Sequence, residues 1–140
     1  MSVDIQEKSC ISDGKKIFGK LYIPDTKAKT YPAVILSHGF NGIGDDMADI
    51  ALTFAENGFL SYTFDYCGGS TRSHSDGKTT DMSIISEQND LKAVIDMISG
   101  LDISDSKRIY LYGESQGGFV AALTAAEMPE RIASMILLYP

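Results

Sequence analysis

The sequence carries few of the signals by which a chain declares a nucleic-acid, membrane or metal partner. Lys and Arg number 12 against 19 Asp and Glu, a formal net charge of −7 at pH 7. The basic residues are scattered, so no face is expected to meet phosphates, which speaks against nucleic acid and anionic membranes as partners. No apolar run approaches the roughly 18 residues that a membrane-spanning helix takes. Met1-Ser2-Val3-Asp4 lacks the basic-then-apolar order of a secretory signal, and the cytoplasm is the expected compartment. The two cysteines, Cys10 and Cys67, are too few for a disulfide framework and stand in no Cys-x-x-Cys or Cys/His cluster, so both read as thiols. Two isolated histidines, His38 and His74, without clustered carboxylates give no metal first shell, and no metal or cofactor is expected. No Gly-x-Gly-x-x-Gly and no Gly-x-x-x-x-Gly-Lys follows an apolar stretch, which disfavours a nucleotide site.

What is present is the patterning of one globular domain over residues 1–140, with 44% hydrophobic and 22% charged residues. Two extended stretches, 3–10 and 17–23, flank Ser12-Asp13-Gly14-Lys15, where Asp-Gly signals a hairpin turn. Ala33-Val34-Ile35-Leu36 is apolar without alternation, as in a central strand covered on both faces. Met47, Ile50, Ala51, Phe54 and Ala55 recur at helical spacing, with Gly58 placed to end the helix and Asp45 and Asp46 to charge its start. Strands are expected over 59–64, 107–112 and 133–139, and helices over 82–99 and 116–128. After the opening hairpin the order is β-α-β-α-β-α-β, which predicts a parallel sheet with helices on both faces. The fold class is α/β.

Gly113-Glu114-Ser115-Gln116-Gly117 fits Gly-x-Ser-x-Gly, and Gly118 follows. It falls between an apolar strand and a small-residue helix, where a sharp turn would push the serine hydroxyl out beyond the strand end. Glycine is needed where such a turn strains the backbone or brings the helix too close for a side chain. Ser115 is the candidate catalytic nucleophile. The second motif, Ser37-His38-Gly39-Phe40-Asn41-Gly42, ends the first parallel strand. Acyl transfer builds negative charge on a carbonyl oxygen, and the backbone N–H groups of Phe40 and Gln116 are the candidate oxyanion donors. Gly39 keeps that backbone accessible, and His38 is expected to prop the loop by hydrogen bonding.

These residues resemble the N-terminal half of an α/β-hydrolase, close in pattern to bacterial cinnamoyl/feruloyl-type esterases and related acyl-ester hydrolases. The likeness runs through the opening hairpin, His38-Gly39-Phe40, Asp65-Tyr66-Cys67-Gly68-Gly69 with Ser75-Asp76-Gly77, the Ser115 turn, and the strand ending at Tyr139-Pro140. Family members often carry His in place of Glu114, and Gly-His-Gly where this chain has Cys67-Gly68-Gly69. The resemblance implies a serine hydrolase of esterase type acting on a small-molecule ester through an acyl-enzyme on Ser115.

In that fold the acid and the histidine of the triad follow the serine. Residues 116–140 contain no His and no Asp, and Glu127 and Glu130 lie at the far end of the helix after the turn. The expectation is a partial domain that stops after its sixth strand, with the missing groups supplied C-terminally or by a companion chain. An apolar last strand would then offer an edge for self-association. The alternatives are a half-domain without activity of its own, or a serine peptidase or thioesterase of the same fold.

Overall fold

The computed structural model describes residues 2–140. In chain order its elements are β1 (Val3–Glu7), β2 (Cys10–Ser12), β3 (Lys15–Ile17), β4 (Gly19–Pro24), β5 (Tyr31–Ser37), α1 (Ala48–Glu56), β6 (Leu60–Phe64), α2 (Ile84–Ser99), β7 (Ser104–Glu114), α3 (Gln116–Glu127) and β8 (Ser134–Leu138). The main sheet runs β1-β4-β6-β5-β7-β8. Its first two pairings, β1–β4 and β4–β6, are antiparallel, and β6–β5, β5–β7 and β7–β8 are parallel.

Period-two packing of β5 sorts the core. Ala33 and Ile35 face the cluster built with Leu91, Val94, Ile95 and Ile98 of α2 and Val120 and Ala121 of α3. Val34 and Leu36 face the opposite cluster with Met47 and with Ala51 and Ala55 of α1. The sheet is therefore covered on both faces around β5, and both faces of that strand are apolar for this reason. Each of the fully buried Val, Leu, Ile and Met side chains among them contributes about 1.5–3 kcal/mol.

The opening is the expected hairpin in a single register, interrupted only at residues 8–9 and 18. The Asp13-Gly14 turn, with φ of 48° and 77°, closes the β2–β3 ladder at its tip. The outer pair β1–β4, from Val3↔Pro24 to Glu7↔Lys20, keeps the same register, and between the two ladders the Lys8 N–H donates to the Gly19 carbonyl at 2.9 Å. Tyr62 packs at the junction of the two ladders: its hydroxyl donates to the Lys8 carbonyl at 2.6 Å, and its ring occupies the space a side chain at Gly19 would need. The α2 start moves from residue 82 to Ile84 because Ser83 caps it. Ser83 Oγ accepts from the Ser86 N–H at 3.0 Å, and Ser86 Oγ accepts from the Ser83 N–H at 2.8 Å. Strand β7 is longer than its apolar stretch 107–112 and continues to Glu114, which carries the chain to the Ser115 turn. At the outer edge of the sheet, Met135, Ile136 and Leu138 of β8 are exposed. Among the described residues no helix is long and apolar enough to cross a membrane.

Candidate active site

One residue, Ser115, separates β7 from α3. Its φ of 52° and ψ of −123° lie in a region that a residue with a Cβ rarely adopts, at a cost of about 1–3 kcal/mol. The surroundings enforce it. The Ser115 N–H donates to the Leu138 carbonyl at 2.7 Å, and its own carbonyl accepts from the Phe119 N–H at 3.1 Å. A Cβ on Gly113 would stand 2.6 Å from Gly118 Cα. One on Gly117 would overlap the Ser37 and His38 carbonyl oxygens and lie 2.7 Å from the Ser37 carbonyl carbon. One on Gly118 would meet the Gly113 carbonyl oxygen at 3.1 Å. Helix, strand and the β5 loop thus touch through bare backbone, and the Ser115 side chain is left exposed at the C-terminal ends of the parallel strands.

The β5 loop lies against this turn. A Cβ on Gly39 would sit 3.5 Å from Ser115 Cβ and 3.4 Å from the Glu114 carbonyl oxygen. The loop then reverses: the Gly42 N–H donates to the Gly39 carbonyl at 3.0 Å, with Asn41 at φ 58°. Among the described residues neither the Phe40 nor the Gln116 amide donates a hydrogen bond. Gln116 is the first residue of α3, where an N–H has no intrahelical acceptor.

His38 is buried, and both ring nitrogens are engaged. Nε2 accepts from the Tyr66 N–H at 3.0 Å, which leaves the proton on Nδ1 to be donated to the Gly39 carbonyl at 2.7 Å. Burial lowers its pKa, so the ring is neutral at pH 7. It packs edge-on against Tyr66, whose hydroxyl is 2.5 Å from Ser37 Oγ. Arg72 reaches in from the loop after β6, donating to Asp46 Oδ2 at 2.9 Å and to the Asn41 carbonyl at 3.3 Å. Asp46 in turn accepts from the Ile43 N–H at 3.0 Å, capping the 3-10 turn Gly44–Met47 that precedes α1.

His74 is not brought to Ser115. Its ring is exposed, tilted against Phe18 with centroids 5.1 Å apart, and its Nδ1 is 3.4 Å from buried Asp65 Oδ2. Asp65 also accepts from the Gly44 and His74 backbone N–H groups at 2.7 and 2.8 Å. Both residues sit over β4 and β6, two to three strands from β7, or about 10–14 Å at ordinary strand spacing. Glu127 is engaged with Lys92 at the other end of α3. Burial, reinforced by Asp90, pushes the thiols of Cys67 and Cys10 up to about 12 and about 11, which leaves neither as a thiolate nucleophile at pH 7.

Sequence reading passed over Glu87. It sits one helical step along the apolar stripe Ile84, Leu91, Val94, Ile95 and Ile98 of α2, is 3% exposed, and accepts from Gln116 Nε2 at 2.8 Å. A carboxylate on the inward face of an otherwise apolar stripe was the available signal.

Residues 32–140 match the family model of the alpha/beta hydrolase fold. An uncharacterized 31.7 kDa protein from the traX-finO intergenic region of Escherichia coli is 32% identical over 115 residues, covering 81% of this chain and 38% of that protein. Among solved structures, Est1E from Butyrivibrio proteoclasticus with bound ferulic acid superposes with a TM-score of 0.83 at 28% identity, covering 91% of this chain and 50% of that one. DcsB in complex with its substrate analogue gives a TM-score of 0.86 at 33% identity, covering 96% of this chain and 44% of that one. The chain spans half or less of the length of these relatives. The chain belongs to the alpha/beta hydrolase fold family.

Proposed function

We propose that this chain carries the nucleophile half of a serine ester hydrolase. Ser115 Oγ attacks the ester carbonyl carbon, the carbonyl oxygen takes the negative charge, and the Phe40 and Gln116 N–H groups receive it. Collapse of that adduct breaks the carbonyl–alkoxy bond, releases the alcohol and leaves an acyl group on Ser115. Water then attacks the acyl carbon, and the carboxylic acid departs as the serine recovers its proton. The observation that carries the reading is an exposed serine held at φ 52° beside two backbone amides that have no acceptor of their own.

The proton acceptor is a histidine from outside residues 1–140, because His38 has both nitrogens occupied and His74 stands strands away. Hydroxycinnamate esters are the first substrates to try, given the ferulic acid bound to Est1E. Two unpaired thiols fit a reducing compartment, the cytoplasm in this reading. A second reading, a half-domain with no turnover by itself, is favoured by the same pair of unavailable histidines.

Exogenous imidazole tests the first reading by standing in for the missing base. Hydrolysis of a p-nitrophenyl ester is expected to rise with imidazole faster in the wild type than in Ser115→Ala, which reports imidazole's own background. Equal rates in the two proteins at every imidazole concentration would remove the hydrolase reading and leave the inert half-domain. A parallel series with a thioester and a peptide anilide sorts esterase from thioesterase and peptidase.

A further inference from the structure

Behind the Ser115 turn, Glu87 occupies a place where leucine would pack without loss of hydration. Its Oε1 accepts from Gln116 Nε2 at 2.8 Å, and the same nitrogen lies 3.9 Å from Met82 Sδ. Among the described residues no Lys, Arg or His pairs with Glu87. The titratable groups that face it are Asp90, one turn further along α2, and Tyr66 in the loop after β6. Both are buried and committed elsewhere: Asp90 Oδ2 accepts from the Cys67 N–H at 2.8 Å, and the Tyr66 hydroxyl meets Ser37 Oγ. The Gln116 side chain thus forms a polar link from the first residue of α3 to α2.

We propose that Glu87 is a positioning residue for the Ser115 turn: by holding the Gln116 side chain it fixes the start of α3 and the direction of the Gln116 backbone N–H. The role rests on the ester-hydrolase reading, in which that N–H receives the oxyanion. Gln116 follows the one strained residue of the turn, so any rotation at its Cα is transmitted directly to its own amide. An ionised carboxylate is the stronger acceptor for the side-chain amide, and a protonated one the weaker. Burial, with a smaller contribution from Asp90, pushes Glu87 up to about 7, against the opposing pull of the Gln116 hydrogen bond, so the link changes strength near neutral pH.

Two readouts on the chain test this. In 15N-labelled protein, the side-chain and backbone amide signals of Gln116 are expected to shift together with a midpoint near pH 7 in the wild type. In Glu87→Gln, which offers a carbonyl acceptor but does not titrate, they are expected to stay flat. Imidazole-assisted acylation of Ser115 is expected to fall about tenfold in Glu87→Leu and to remain within about threefold of wild type in Glu87→Gln, the scale of one well-made buried hydrogen bond. A merely structural Glu87 would leave the Gln116 backbone signal without a pH response. That flat signal, or Glu87→Leu acylating at the wild-type rate, overturns the proposal. Should Glu87→Leu not fold, the wild-type and Glu87→Gln titrations decide alone. Should wild-type Ser115 take no acyl group, the hydrolase reading fails while the two titrations still decide whether Glu87 positions Gln116.

Discussion

Gly117→Ala is expected to lower the melting temperature by about 10 °C, the equivalent of about 3 kcal/mol for a domain of this size, and, on the ester-hydrolase proposal, to remove the imidazole-assisted acylation of Ser115. Gly117 does not need glycine for its backbone angles; it needs glycine for space. A methyl there would overlap the carbonyl oxygens of both Ser37 and His38, and those belong to backbone that cannot swing away as a side-chain tip can. Ser37 is paired to β7 at Gly113, and the His38 ring is bonded at both nitrogens. Relief therefore requires α3 to move off the β5 loop, which parts Ser115 from the Phe40 amide. Gly58→Ala is the matching control. Gly58 has a φ of 92° but nothing within 4 Å of an added Cβ, so its cost is backbone strain of about 1 kcal/mol with Ser115 untouched. Thermal unfolding by circular dichroism of the two variants checks both figures. Equal losses at the two sites would mean that the close approach of α3 to β5 does not hold the turn.

Glu87→Gln is expected to stabilise the protein, by an amount that depends on pH. Burial raises the Glu87 carboxyl from 4.5 to about 7. Across that interval the native state keeps a proton the unfolded chain has lost, so stability is fully present below 4.5 and declines as pH rises to 7. A glutamine at this position has no proton to lose and escapes that decline. The variant should match wild type near pH 4.5 and exceed it by about 3 kcal/mol at pH 8, as order-of-magnitude linkage gives. Asp46, held low by Arg72, and Glu127, held low by Lys92, have the opposite dependence but are present in both proteins and cancel in the difference. Urea unfolding at intervals from pH 4.5 to pH 8 measures the gap. A gap that is constant with pH would show that Glu87 titrates normally in the folded state.

The parts of this fold that could be read in the sequence are those whose physics is local. A strand covered on both faces must be apolar at consecutive positions, so Ala33 to Leu36 stood out. The Ser115 turn needs glycines at fixed offsets, so Gly113, Gly117 and Gly118 marked it before any geometry was known. Long-range partners were not legible. The contact of Tyr62 with Lys8 across the space above Gly19 joins residues of which none signals the others. The link from Glu87 to Gln116 depends on how α2 packs against α3. Asp65 resembles any loop aspartate until Gly44 and His74 present their amides to it. Glu87 alone among them is visible in the sequence, as a carboxylate within an apolar stripe that must find a buried polar partner.

Intact-mass spectrometry after treatment with a fluorophosphonate, with and without imidazole, tests the central claim most directly. The expected result is a single adduct that requires imidazole, maps to Ser115 and is lost in Ser115→Ala. Adducts distributed over several serines, or a single adduct that persists in Ser115→Ala, would contradict it.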